Sequence, residues 1–238
     1  MNGAGPHPAR PTLASWRFDL AVAAFGLVTL VLWDAAARDL TVMRWIGGPG
    51  GFPWRDHPLT STLLHEGGRW LSGLALLWFA LLAWRPLGWW SRVPAATRRW
   101  QLAAVVLCLV AIPLLKKASL TSCPWDLAEF GGRAAYLSHW ALGQADGGPG
   151  HCFPSGHASG AFAFLAGYFA LREHDGRRSR AWLAGVVSFG LLFGAAQTLR
   201  GAHYPSHTLY TAWICWSLCA STFHLAHCFT RHTGASTL

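Results

Sequence analysis

Long apolar blocks, separated by short stretches rich in Arg, Gly or Pro, run through the whole chain. A helix needs about 20 mostly apolar residues to cross roughly 30 Å of hydrocarbon. Six blocks reach or approach that length: 16–35, 70–84, 101–115, 158–171, 181–199 and 209–227. The pattern predicts an all-α integral membrane protein with six transmembrane helices in one bundle. The fourth block is the shortest and is rich in Gly and Ala. Small residues let helix backbones approach, so it reads as a packed central helix rather than a lipid-facing one. The first block starts late and runs on to Asp34 and Arg38 without a clear cleavage site, so it reads as an anchor, not a signal peptide. One membrane domain is expected over 16–230, between flexible ends at 1–15 and 231–238.

Lys and Arg between the blocks set the orientation. Arg85, Arg92, Arg98 and Arg99 crowd one short connection, and Arg172, Arg177, Arg178 and Arg180 another. Placing both inside puts the N- and C-termini in the cytoplasm. Residues 36–69, residues 116–157 and the turn near 200–207 then face out.

Composition sharpens this picture. Hydrophobic residues make up 53% of the chain and charged residues 12%, with 15 Trp and 13 Phe. A soluble domain carries about 25% charge, so lipid is the expected solvent and the bilayer the first partner. The net charge of +9 fits topology signals and headgroup contacts. No nucleic-acid-binding signature accompanies it, and nucleic acid is not an expected partner.

Three short stretches carry candidate chemistry, each where a block meets the outer side. They are Lys116 through Asp126, Pro154-Ser155-Gly156-His157, and Gln197 through His207. Ser155, Gly156 and His157 open a helix, where free N–H groups and the helix dipole favour an anion. Lys116 and Arg200 end helices on the same side. Cations around an oxyanion site suit phosphoryl transfer. Histidine can attack phosphorus, and a second histidine can protonate the leaving oxygen. No ATP-binding loop is present, so the phosphate arrives with the substrate.

These stretches resemble the three signatures of the type 2 phosphatidic acid phosphatase family, K-x6-R-P, P-S-G-H and S-R-x5-H-x3-D. The second matches fully, and the resemblance covers all six blocks. It implies that His203 is the nucleophile, forming a phosphohistidine, and that His157 is the general acid. It also implies that Lys116, Ser155 and Gly156 hold the phosphoryl oxygens, with no metal and no cofactor. Three positions depart from the signatures. Cys123 replaces Arg in the first, Ala196-Gln197 replaces Ser-Arg in the third, and His207 replaces the closing Asp. Arg200 lies one helical turn after Gln197 and can reach the same phosphate. His207, four residues after His203, can orient the nucleophile without adding negative charge. Asp126 is the alternative orienting carboxylate.

Other residues keep more than one reading. His157, His203 and His207 also have the chemistry of a three-histidine zinc site, although no supporting carboxylate is obvious. His57, His65 and Glu66 either line the entrance or are ordinary interfacial residues, and Lys117 reads as a snorkelling neighbour of Lys116. His139 and His151 have no assigned role. Cys108, Cys215, Cys219 and Cys228 read as small buried residues. Cys123 and Cys152, both in the long outer loop, are expected to form a disulfide joining the first signature to the second.

The resulting expectation is a lipid phosphatase or pyrophosphatase of a bacterial inner membrane, its site facing the periplasm. The expected substrate is a membrane lipid phosphate. A lipid phosphotransferase with the same intermediate and a non-catalytic lipid-binding or transport protein are the alternatives. A vanadate-dependent haloperoxidase shares the signatures, but those relatives are soluble. Oligomeric state is left open.

Overall fold

The computed structural model describes residues 13–232, and the expected flexible ends lie almost wholly outside them. The described chain is all-α, without a strand. Helix α1 (Leu13–Ala35) is followed by a short surface helix, α2 (Arg38–Ile46). A π-helical segment, Leu59–Glu66, runs directly into α3 (Gly67–Trp84). Then come α4 (Ala95–Ala118), α5 (Gly156–Phe162), α6 (Ala166–Arg172), α7 (Gly176–Leu199) and α8 (Pro205–His232).

Among the described residues, four helices are long and apolar enough to cross a membrane: Ser15–Ala35, Leu59–Trp84, Ala95–Ala118 and Gly176–Leu199. The fourth and sixth expected blocks are helical but do not share that pattern. The fourth is broken into α5, a single 3-10 turn at Ala163–Leu165, and α6. The sixth, α8, opens on Pro205, whose fixed φ suits a first helical turn. It continues through polar residues such as Ser206, His207, Thr208 and Thr211, which face inward and are buried.

The broken helix sits at the centre, as its Gly and Ala content requires. Ala158, Phe162, Ala163, Ala166, Phe169 and Leu171 are all essentially inaccessible. Helices α4, α7 and α8 pack around it. Gly190 of α7 shows why small residues are needed: a Cβ there would overlap the Phe162 ring. Outward faces carry exposed Phe25, Leu32, Trp70, Leu74 and Leu114. Apolar exposure on this scale suits acyl chains rather than water.

At one end of the bundle, Arg172 of α6 donates two hydrogen bonds to Asp19 of α1, at 2.9 and 2.8 Å. His224 of α8 approaches the same carboxylate at 2.7 Å. At the opposite end, residues 119–155 fold over the bundle. The buried Asp146 carboxylate accepts from Ser122 N at 2.6 Å, Ser122 Oγ at 2.7 Å and Gly148 N at 3.0 Å. A small core of Met43, Phe52, Leu127, Phe130, Ala134 and Tyr204 joins this loop to α2.

Candidate active site

The three signature stretches meet under the long loop 119–155. Helix α4 ends at Ala118, with Lys116 half-buried and Lys117 exposed. A Cβ built on Gly156 would lie 3.7 Å from Lys116 Cδ and 4.0 Å from its Nζ. The ammonium group is therefore beside the start of α5. Lys116 has no carboxylate partner among the described residues. Beside it Ser155 Oγ is buried without a hydrogen-bond partner. A half-buried cation beside the start of α5 and an unpaired hydroxyl on the residue before that helix suit an anion that brings its own acceptors.

His203 lies in the turn between α7 and α8, only 4% exposed. Burial, reinforced by the charge of Lys116, holds its imidazole well below the ordinary histidine range, so the ring is neutral. Its Nδ1 lies 3.5 Å from Sγ of Cys152. Cys152 is joined to Cys123 by a disulfide, with the Cα atoms 5.1 Å apart. A disulfide sulfur has no hydrogen and is only a weak acceptor. An N–H at Nδ1 can point at this sulfur, an arrangement that places the lone pair of the neutral ring on Nε2.

His207 does not bond to His203. The two rings meet edge to face, with centroids 5.8 Å apart. Nδ1 of His207 donates instead to the Cys152 carbonyl at 3.0 Å, leaving Nε2 buried and unpaired. Asp126 is engaged elsewhere: its Oδ2 accepts from Cys123 N at 3.2 Å, closing a turn of the long loop. Burial raises its carboxyl above the usual range. The carboxylate that acts on this turn comes from α2. Asp39 accepts from Ser206 N at 3.0 Å and from the Ser206 hydroxyl, so it grips the chain between the two histidines. Nothing in the sequence pattern pointed to Asp39.

On the other wall, His157 is fixed by the π-helical segment that runs into α3. Its Nε2–H donates to the Leu64 carbonyl at 3.1 Å, which leaves Nδ1 for a substrate. A Cβ on Gly68 would come within 3.2 Å of that Nε2, so glycine is what lets the ring lie there. Gln197 and Arg200, one turn apart on α7, touch each other at 3.4 Å through Oε1 and Nη1. Arg200 also donates through Nε to the Arg55 carbonyl at 2.8 Å. His65 joins this group, since its Nδ1 lies 3.1 Å from Gln197 Nε2.

His157, His203 and His207 do not converge on one ion position among the described residues. Two other groups come closer to metal-ligand spacing. Cys123 and Cys152 lie beside His203, but their sulfurs are spent on each other. Asp34, Asp39 and His139 also cluster, but both carboxylates already accept from Trp33, Trp140, Ser206 and Tyr210. Neither donor set suits a cation.

Compared with known families, residues 98–231 match the PAP2 superfamily. That stretch holds all three signatures and more than half of the chain. The chain belongs to the PAP2 superfamily. No curated protein and no solved structure matches it. The superfamily's members are phosphatases, and membership implies a phosphatase-type activity for this PAP2 protein. Its apolar helices make it a membrane protein. Asp39, His65 and Gly68 all lie before the matched stretch, yet each lies against one of the three stretches.

Proposed function

We propose that this PAP2 protein removes a phosphate or pyrophosphate group from a membrane lipid through a phosphohistidine at His203, at the periplasmic face of a bacterial inner membrane. In this reading Nε2 of His203 attacks phosphorus. Lys116 and Arg200 neutralise the phosphoryl oxygens, and Ser155 Oγ donates to one of them. His157, whose imidazole burial holds down to about 4, gains a proton at Nδ1 as the phosphate anion binds beside it and gives that proton to the leaving oxygen as the P–O bond breaks. Water then attacks the phosphohistidine, His157 takes the proton, and inorganic phosphate leaves. No metal and no cofactor enters this scheme.

One observation carries the lipid part of the reading. An apolar cleft of about 560 Å³ opens between α3, α5 and α7, lined by Ser72, Gly160, Phe164, Trp182 and Phe193 among others. It begins beside the candidate acid: Phe193 lies 5.5 Å from the His157 ring, centroid to centroid. A phosphate head at the histidines would thus have apolar space for its tail. The density of Arg at the opposite helix ends supports the outward placement.

The burial of His203 favours a second reading, transfer of the phosphoryl group to an acceptor lipid that excludes water. Purified protein in detergent with chelator, offered a panel of lipid phosphates and pyrophosphates, tests both. Phosphate release that survives chelator, with acid-labile labelling lost in His203→Ala, is the expected result. Labelling without release until an acceptor lipid is added would favour transfer. Neither labelling nor release from any lipid would overturn both.

A further inference from the structure

His65 has two neighbours in the site. Its ring stacks on the His157 ring, with centroids 4.5 Å apart and planes 29° from parallel. Its edge enters a hydrogen-bond chain whose direction follows from chemistry alone. Arg200 can only donate, so Gln197 Oε1 accepts and its amide is fixed. Gln197 Nε2 must then donate to His65 Nδ1, which holds a lone pair. The ring hydrogen of His65 is left on Nε2, 3.4 Å from Glu66 Oε1. The resting His65 ring is therefore the neutral Nε2–H tautomer.

The backbone adds a second tie. Leu64, one residue earlier, provides the carbonyl that fixes His157 Nε2. Both contacts arise in the π-helical segment Leu59–Glu66. Inserted π turns recur at functional sites because they re-aim side chains.

We propose that His65 is a positioning residue for His157, a neutral aromatic plate against which the general acid holds its proton. The proposal rests on the phosphatase reading for the role of His157. Burial and the Arg200–Gln197 pair, which presents an N–H donor to Nδ1, keep the plate neutral against the opposing pull of Glu66. A positive charge at that position would oppose the imidazolium of His157, whereas a neutral ring face stabilises it. Glu66 and Arg69 on the same helix, Arg200 on α7 and Lys116 on α4 are the other charged groups that bear on the pair. Gln197 stands where the family signature has Arg. Here an amide that donates to His65 takes the place of a cation.

The test compares His65→Phe, which keeps a neutral plate, with His65→Ala, which removes it. His65→Phe should retain kcat within about threefold of the parent. His65→Ala should lose about tenfold or more in kcat with little change in KM, and the basic limb of its pH–rate profile should move to lower pH. A second readout does not need turnover. Histidine-labelled protein in detergent, with the His157 resonances assigned from His157→Gln, gives the protonation midpoint of His157 by NMR. That midpoint should fall in His65→Ala and hold in His65→Phe. An unchanged midpoint in both variants, or an equal fall in both, overturns the positioning role. A parent protein inactive on every lipid, with the midpoint behaving as stated, would sink the phosphatase reading and leave the His65–His157 coupling standing.

Discussion

Nδ1 of His203 faces Sγ of Cys152 at 3.5 Å, so the disulfide forms part of the candidate nucleophile's surroundings. Where the family signature closes on an aspartate, this chain has His207, whose Nδ1 turns to the Cys152 carbonyl. One residue, Cys152, thus contacts both histidines, through sulfur and through its backbone.

Activity should therefore depend on the disulfide. The bridge closes a loop of 29 residues, and loop closure of that size contributes about 3–4 kcal/mol of chain entropy. Reduction of the intact protein, or Cys123→Ser, should lower kcat by about tenfold or more and lower the thermal midpoint. Undiminished turnover after reductant, with both thiols labelled, would refute this.

The neutral state of His203 has a pH signature. Its folded pKa lies below the unfolded value of about 6.5. Above pH 6.5 both states are neutral there, and the group has no effect on stability. As pH falls below 6.5 the unfolded chain gains a proton that the native protein refuses, so stability declines. The acidic limb of the rate profile should correspondingly lie below pH 6.5, since His203 stays unprotonated to lower pH. Thermal midpoints at pH 7.5, 6 and 5, beside His203→Gln, check the sign: the variant should lose less on acidification.

Asp39 should matter for rate although it lies outside the family match. Asp39→Ala removes the acceptor for Ser206 N and Oγ and frees the turn that carries His203 and His207. Hydrogen bonds to a charged group are each worth about 1.5–3 kcal/mol. A fall of about tenfold in kcat is expected, with Ser206→Ala showing a smaller fall in the same direction. Parent-like kcat in Asp39→Ala would rule out this role.

Lys116 and Lys117 should separate cleanly. Lys116→Met should raise KM and lower kcat together by about a hundredfold in kcat/KM, as loss of a phosphate-binding charge does. Lys117→Met should match the parent, because its side chain is exposed. Equal loss in both variants would place the phosphate elsewhere.

Asp19 gives a structural contrast. Asp19→Ala leaves Arg172 without its buried partner, at a penalty of about 3–5 kcal/mol. The thermal midpoint should drop by several degrees while kcat at low temperature stays within about twofold. A large kcat loss in folded Asp19→Ala would instead couple that end of the bundle to the site.

Apolar block length located six helical regions, with the first, third and fifth nearly in place, and four of the described helices are long and apolar enough to cross a membrane. The break inside the fourth was not legible, because Gly and Ala are compatible with either a continuous or an interrupted helix once buried. Nor was the π-helical extension of the second block to Leu59. Polar residues such as Thr62, His65 and Glu66 hide it from an apolar count. Of the candidate site, the order of the three stretches and the pairing of Arg200 with Gln197 were readable from spacing, and Lys116 is the lysine whose side chain lies beside the start of α5.

The sequence alone thus determined the family, the all-α membrane character and the identity of the signature side chains. These are properties of order, spacing and composition. The tertiary structure decided which groups support them: Asp39 on Ser206, Leu64 and His65 on His157, and Cys152 on both His203 and His207. Asp39 and Ser206 are 167 residues apart, and His157 and Leu64 are 93 apart. No local periodicity encodes contacts at such separations, because only the packing of the helices brings those side chains within reach of each other.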